Sequence, residues 1–250
     1  MTNRMNDDRN KLIVALDVES AAEARRLLNT LRGIVGMFKI GTQLFTAEGP
    51  ALVREIVESG ERVFLDLKFH DIPNTVAAAG VEAARLGVSI FNVHAAGGSE
   101  MMRRTFDAVS EVVDVEKLQR PAIIAVTVLT SSNSNTLREI GLSDNVHDVV
   151  RSLALLAEAS GLDGVVASPL ELGIVRSAVK KQGFIVVTPG VRPAGSPRGD
   201  QKRVTTPREA ILAGADYLVV GRPILESPDP ARAAQAIIDE MQIVSANSVS

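Results

Sequence analysis

Residues 62–94 read RVFLDLKFHDIPNTVAAAGVEAARLGVSIFNVH. This stretch joins two short apolar runs, 62–67 and 88–94, through an alanine-rich amphipathic segment, 73–86. Gly87 follows that segment, at the position where a helix commonly ends on a left-handed residue. The pattern predicts a strand, a helix and a second strand. Near-continuous apolar strands of this kind are typical of a parallel sheet that is covered on both faces.

The same unit recurs along the whole chain, and no linker rich in proline or serine marks a domain boundary. The predicted strands are 11–17, 34–40, 62–67, 88–94, 122–128, 164–167, 184–188 and 217–220. The predicted helices are 20–32, 50–59, 73–86, 99–112, 147–160, 169–182, 206–213 and 229–242.

Eight strand–helix units in 250 residues predict a single-domain α/β fold, the (β/α)8 TIM barrel. We expect the barrel to span residues 11–242, between a polar N-terminal tail, 1–10, and a C-terminal tail, 243–250. A doubly wound open sheet is the alternative architecture.

The composition excludes several classes of protein. The chain carries 27 Lys and Arg against 30 Asp and Glu, and a net charge of −3 argues against a basic nucleic-acid-binding domain. The absence of cysteine excludes a disulfide scaffold, a thiolate metal site and a cysteine nucleophile. No apolar run reaches the roughly 18 residues of a membrane span, and the polar N-terminus lacks the apolar core of a signal peptide. We therefore expect a cytoplasmic protein that binds neither nucleic acid nor a membrane.

Charged residues cluster at the carboxyl ends of the first three predicted strands, where barrels of this type place their active sites. They are Asp17, Lys39, Asp66, Lys68 and Asp71. Because side chains alternate along a strand, Asp66 and Lys68 face one side while Leu67 faces the helices. Five ionisable groups would then share one partly desolvated mouth. The neighbouring carboxylates keep the ammonium group of Lys68 protonated, which suits a proton donor.

Two other interpretations of this cluster exist. The charges could form ordinary surface salt bridges, although ions inside a barrel are costly unless they are paired and used. His70 could also join Asp66 and Asp71 in a metal site. The two ammonium groups nearby would repel a cation, so we expect no metal here.

A second group of candidates follows the last two strands. Residues 188–203 form a long stretch rich in Gly, Pro and Ser, as in binding loops and lids. The last strand runs into Gly221 and Arg222. Barrels of this type bind phosphate between these two loops, where glycine allows close backbone approach and arginine supplies paired hydrogen bonds. We expect Arg192, Gly221 and Arg222 to bind a phosphate group; a solvated loop without a ligand is the alternative.

Taken in chain order, these segments resemble the orotidine 5′-phosphate decarboxylase family. The resemblance runs from residue 11 to 228 and is most specific in DLKFHDIP, TPGVRP, DQKRV and GRPI, with LIVALDV, FKIG and VTVLTS in support. It implies a homodimer of barrels that acts as a carbon–carbon lyase. The implied reaction removes CO2 from orotidine 5′-monophosphate to give UMP in de novo pyrimidine biosynthesis, without a metal or cofactor.

The resemblance also implies a role for each matching residue. Lys68 is the proton donor to C6 of the pyrimidine, and Asp66 and Asp71 are its partners, with Asp71 reaching into the neighbouring subunit's site. Lys39 belongs to the charged network, and Asp17 contacts the ribose. The substrate-binding residues that it implies are Asp17, Lys39, Asp66, Asp71, Ile72, Pro73, Asn74, Thr75, Thr130, Arg192, Gln201, Gly221 and Arg222.

Two other functions stay open. A related group of barrels, the 3-keto-gulonate 6-phosphate decarboxylases and hexulose-phosphate synthases, shares a D-x-K-x-x-D segment but uses Mg²⁺. The loop that carries Arg192 and Gln201, with Thr130 before it as the implied contact to the pyrimidine ring, favours the orotidine enzyme. The second alternative is a non-catalytic barrel that binds a phosphorylated ligand. The complete lysine–aspartate cluster argues against it, because a binding protein needs no proton donor.

Overall fold

The structure, a computed structural model, describes residues 8–193 and 205–247, with side chains as far as residue 242. Eight parallel strands form one closed barrel in chain order. They are β1 (Leu12–Ala15), β2 (Met37–Gly41), β3 (Val63–Phe69), β4 (Ile90–His94), β5 (Ala122–Val126), β6 (Gly164–Val166), β7 (Ile185–Pro189) and β8 (Tyr217–Val220). The predicted barrel is confirmed, and the open-sheet alternative is wrong because β1 pairs with β8.

Helices follow the strands and pack around the barrel. They are α1 (Ala21–Leu31), α2 (Thr42–Glu58), α3 (Pro73–Arg85), α4 (Gly98–Glu116), α5 (Ser134–Glu139), α6 (Val146–Ala159), α7 (Leu172–Ala178), α8 (Pro207–Leu212), α9 (Arg222–Leu225) and α10 (Pro230–Asn247). Among the residues that the structure describes, no helix has the length and apolar character needed to cross a membrane. Most of the expected N-terminal tail, 1–7, and the last residues, 248–250, lie outside the described residues.

Some boundaries differ from the predicted ones. β1 ends at Ala15, so Asp17 lies in the loop beyond the strand. β3 continues to Phe69, two residues past the predicted end, because its polar residues stay in the sheet. α2 begins at Thr42 instead of residue 50, and Gly49 (φ 69°) interrupts it where the sequence had suggested the helix start.

Two apolar clusters decide which strand residues reach the mouth of the barrel. The smaller cluster fills the barrel interior with alternate strand residues: Ile13, Ala15, Met37, Phe64, Ile90, Ile124, Val187 and Val219. The larger cluster joins the intervening strand residues to the helices. Inward positions recur every second residue, so the next inward layer on the first four strands holds Asp17, Lys39, Asp66 and Asn92. A polar layer therefore lies directly on the apolar filling.

The seam between β6 and β7 leaves no room for a side chain at Gly164. A Cβ atom there would overlap the backbone carbonyl of Ile185, and a paired strand cannot move away without strain. We expect Gly164→Ala to lower the free energy of unfolding by about 2 kcal/mol, the usual size of an overpacking effect. Urea unfolding followed by circular dichroism measures the change.

Gly173→Ala in α7 is the matched control, because a Cβ atom at Gly173 would meet nothing within 4 Å. Alanine favours a helix over glycine by about 1 kcal/mol, so this variant should be at least as stable as the wild type. Equal losses in both variants would contradict the close approach at Gly164.

Candidate active site

A pocket of about 280 Å³ opens at the carboxyl ends of the strands. Its inner wall is apolar and consists mainly of Phe64, Val126, Val166, Val187 and Val219. Its polar lining residues are Asp17, Lys39, Asp66, Lys68, Thr130, Arg192 and Arg222. An apolar wall with a few converging charged groups is typical of a small-molecule site.

The carboxylate of Asp66 is the centre of an ion network. Its Oδ1 atom lies 2.7 Å from Lys68 Nζ, and its Oδ2 atom lies 3.3 Å from Lys39 Nζ. Lys39 Nζ also donates to Asp17 Oδ1 at 3.1 Å. The side chain of Asp66 is 12% exposed and that of Lys68 is 35% exposed, so the network runs from a buried carboxylate to an ammonium group at the pocket surface. Each ammonium group contacts a carboxylate, which lowers the cost of burying these charges.

Lys68 reaches the network from an irregular segment of β3. Leu65 pairs with Phe91 and Phe69 pairs with Val93, so three residues of β3, 66–68, lie opposite the single residue Asn92 of β4. Lys68 lies inside this bulge with φ 53°, a left-handed conformation that is uncommon outside glycine. Bulges next to active sites often change the direction of a side chain. Asp66 and Lys68 both line the pocket from this segment.

Asn92 completes the network and was missed in the sequence. Its side chain is fully buried at the inward position of β4. Its Nδ2 donates to Asp66 Oδ1 at 2.7 Å, and its Oδ1 accepts from the backbone N–H of Lys68 at 2.8 Å. The available signal was a polar residue inside the apolar run IFNV, two residues after the inward-facing Ile90.

Asp71 does not join the network within one chain. It follows β3 as an exposed residue, and its Oδ1 accepts from the backbone N–H of Ile72 at 2.6 Å. Within the described residues the charged cluster therefore has four members where five were expected, because the chain turns outward after Phe69. The segment 72–75 also lies outside the main pocket; Ile72 precedes α3, whose first three residues are Pro73, Asn74 and Thr75. Asp71 and Thr75 instead line a separate cavity.

The candidates after β7 and β8 lie on the opposite side of the main pocket from β3. Arg192 is almost fully buried, and its backbone N–H donates to the carbonyl of Thr205 at 3.1 Å. Gly221 and Arg222 line the same pocket, and a Cβ atom at Gly221 would lie 3.6 Å from Asp17 Oδ2. Thr130 lies at the pocket rim after β5. Gln201 lies outside the described residues.

A pair of histidines stands beside the network. The rings of His70 and His94 have centroids 5.3 Å apart. Burial lowers the pKa of His94 from its ordinary value of 6.5, electrostatic interactions with His70 and Lys68 lower it further, and the negative charge of Asp66 opposes them. Among the described residues, no group of three or more His, Asp or Glu side chains is arranged to hold a metal ion.

The lowered pKa of His94 predicts a pH-dependent stability. Below pH 6.5 the unfolded chain binds a proton at this residue more readily than the folded chain, so acidification favours unfolding. We expect His94→Gln to lose less free energy of unfolding than the wild type between about pH 7.5 and about pH 5.5. Urea unfolding at both pH values measures the difference.

His147→Gln is the control, since His147 is exposed on α6. It should show the same pH dependence as the wild type. A His94→Gln protein that is destabilised by acid as steeply as the wild type would refute the assignment.

Known proteins resemble this chain over almost its whole length. Residues 10–237 match the orotidine 5′-phosphate decarboxylase / HUMPS family. Proteins named orotidine 5′-phosphate decarboxylase from Syntrophotalea carbinolica and Geobacter sulfurreducens are 56% and 55% identical to this chain over 233 residues. Both alignments cover 93% of this chain, and they cover 95% and 96% of the two relatives.

A solved structure supports the same assignment. The crystal structure of orotidine 5′-phosphate decarboxylase from Lactobacillus acidophilus is 36% identical to this chain and superposes with a TM-score of 0.81. That match covers 92% of this chain and 98% of the other. The family match, residues 10–237, covers all eight strands together with the charged residues at their ends. The chain belongs to the orotidine 5′-phosphate decarboxylase / HUMPS family.

Proposed function

We propose that this protein removes CO2 from orotidine 5′-monophosphate and releases UMP, as the last step of de novo pyrimidine biosynthesis. Relatives that are more than half identical over nine-tenths of the chain carry the name of this enzyme. The observation that carries the proposal is the 2.7 Å ion pair between Asp66 and Lys68 at the edge of an apolar pocket.

The chemistry of the reaction requires a fixed cation beside C6 of the pyrimidine. Breaking the bond between C6 and the carboxylate carbon releases CO2 and leaves an electron pair on C6. This pair lies in the ring plane and has no delocalised sink. The ammonium group of Lys68 stabilises that charge and then transfers a proton to C6, which yields UMP. Solvent returns the proton to the lysine.

Asp66 and Lys39 prepare Lys68 for this role before the substrate binds. Asp66 contacts the ammonium group of Lys68 through Oδ1, and the ammonium group of Lys39 contacts the other carboxylate oxygen, Oδ2. Charges that are already oriented need little reorganisation during the reaction. The apolar wall excludes water from the bound ring, and this strengthens the electrostatic interactions inside the pocket. Lys68, Asp66 and Lys39 supply this chemistry without a step through a metal or cofactor.

The loops after β7 and β8 are proposed to bind the phosphate group. Arg192, Gly221 and Arg222 line the pocket after β7 and β8, at the position where barrels of this type bind phosphate. Gln201, which lies outside the described residues, is proposed to contact the phosphate group, and Thr130 is proposed to contact the pyrimidine ring. Binding energy from the remote phosphate can then be expressed in the transition state.

The site is proposed to be completed by a second copy of the chain. Asp71 is exposed, and the neighbouring apolar side chain of Ile72 is 66% exposed. These two residues, together with Pro73, Asn74 and Thr75, would contact the substrate of the partner subunit. A homodimer would cover Ile72 and would bring the missing fifth charge to the network.

The first prediction concerns Lys68. Lys68→Ala should fold and bind UMP but lower kcat/KM for orotidine 5′-monophosphate by about 10³-fold or more, because it removes both the charge and the proton. Asp17→Ala and Lys39→Ala should cost less. The spectroscopic change from substrate to UMP measures turnover, with EDTA present so that dependence on Mg²⁺ is tested in the same assay.

Lys180→Ala, an exposed lysine outside the pocket, is the control and should keep full activity. Lys68→Ala turnover above a tenth of the wild-type value would make the proton-donor assignment wrong. Wild-type activity that disappears with EDTA would favour the Mg²⁺-dependent group of barrels.

The second prediction concerns Asp71. If Asp71 acts across the dimer, inactive Lys68→Ala and Asp71→Ala subunits should complement each other when they are mixed. Each heterodimer has one site with both changes and one site with neither. Random reassortment makes about half of the dimers mixed, so roughly a quarter of wild-type activity should return. Confirmed subunit exchange without recovery would place Asp71 in its own subunit's site.

The third prediction concerns the phosphate group. Arg222→Ala should lower kcat/KM by about 10²-fold or more, because it removes a charge-assisted contact. Gln201→Ala should act in the same direction but more weakly. Orotidine without its phosphate should be a poor substrate, and added phosphite should rescue it better in the wild type than in Arg222→Ala.

Arg54→Ala, which changes an exposed arginine on α2, is the control. Equal wild-type rates with orotidine and its monophosphate would exclude the phosphate role.

A further inference from the structure

The backbone of β3 leaves the regular ladder with β4 at the proposed proton donor. Phe91 and Val93 both pair with β3, but three residues of β3, 66–68, lie opposite the single β4 residue between them. Inside this bulge the Lys68 backbone is left-handed, with φ 53°. A backbone N–H that leaves the ladder in the interior still needs an acceptor. The N–H of Lys68 donates to the side chain of Asn92, at 2.8 Å.

Asn92 stands between the two paired residues of β4 and is fully buried. Its amide nitrogen donates to Asp66 Oδ1 at 2.7 Å, the same oxygen that accepts from Lys68 Nζ. One rigid carboxamide therefore contacts the backbone of the lysine and the carboxylate that holds its ammonium group. A carboxamide offers both an acceptor and a donor in one plane, whereas a carboxylate offers acceptors only.

We propose that Asn92 is a positioning residue for the decarboxylation. It holds the Lys68 backbone in its left-handed conformation, and it fixes the Asp66 carboxylate toward Lys68 Nζ. The inference rests on the proposed function, since it assigns Asn92 a role through Lys68. Asn92 itself does not line the pocket, so it acts through its two neighbours.

The position of Asn92 supports a role in the site over a role in core packing. The preceding inward residue on β4 is Ile90, and the residue of β5 that pairs with Asn92 is the apolar, fully buried Ile124. An apolar side chain would thus suit the core at position 92. Burying an amide is unfavourable unless its hydrogen bonds are made. Both bonds of Asn92 go to residues of the charged network.

The experiment compares Asn92→Ala and Asn92→Asp with the wild type. Asn92→Ala should lower kcat by about 10²-fold while KM and the Kd for UMP change by less than about threefold, since an ill-placed reacting group weakens chemistry more than binding. Asn92→Asp keeps an acceptor for the Lys68 N–H but places a second carboxylate against Asp66. It should fold with a lower melting temperature than the wild type, because the two carboxylates repel each other, and it should lose at least about tenfold in kcat.

Thr127→Val is the matched control on the neighbouring strand segment. Thr127 is also buried, and its Oγ1 donates to the carbonyl of Val166 at 2.9 Å, outside the charged network. It should lower the melting temperature without changing kcat. Circular dichroism checks the fold of every variant. If Asn92→Ala does not fold, Asn92→Asp alone decides.

Three results would overturn the inference: Asn92 variants with kcat within twofold of the wild type, a loss that lies in KM alone, or an equal kcat loss in Thr127→Val. Each of these requires an active wild type. A wild type that does not turn over orotidine 5′-monophosphate would instead refute the proposed function.

Discussion

The carboxylate of Asp66 lies between two ammonium groups, 2.7 Å from Lys68 Nζ and 3.3 Å from Lys39 Nζ. This arrangement is stable only where each charge keeps its partner, because an unpaired ion in the barrel would be costly. Several features keep these charges paired. Asn92 donates a hydrogen bond to the Asp66 carboxylate, Asp17 accepts one from Lys39, and the bulge in β3 lies where Lys68 meets Asp66. The proposed chemistry depends on this pairing as well, since the lysine must be a cation at a fixed place before the substrate arrives.

The network lies at the mouth of the barrel because every second residue of each strand points into the barrel. Ala15, Met37, Phe64 and Ile90 fill the interior, and the next inward positions carry the polar residues. The apolar layer closes the bottom of the pocket, while β5 to β8 contribute an apolar wall. Electrostatic interactions are stronger in such surroundings than in water, so the same residues that stabilise the fold also strengthen the site.

Much of this architecture could be predicted from the sequence. Apolar runs identified all eight strands, and alternation along RVFLDLK placed Asp66 and Lys68 at the mouth. The bulge could not be predicted, because it depends on the pairing of β3 with β4, which local pattern does not encode. For the same reason Asn92 looked like one polar interruption of a buried strand. The direction of the Asp71 side chain could not be predicted either, because the alternation of inward and outward side chains ends with the strand.

The most direct test of the Asp66–Lys68 unit is a double-mutant cycle on kcat/KM for orotidine 5′-monophosphate, with Asp66→Asn, Lys68→Ala and the double variant. Residues that act as one unit lose their combined effect when either is removed. If Asp66 acts through Lys68, the double variant should be no less active than Lys68→Ala. A double variant whose loss equals the product of the two single losses would contradict this, because Asp66 and Lys68 would then act independently.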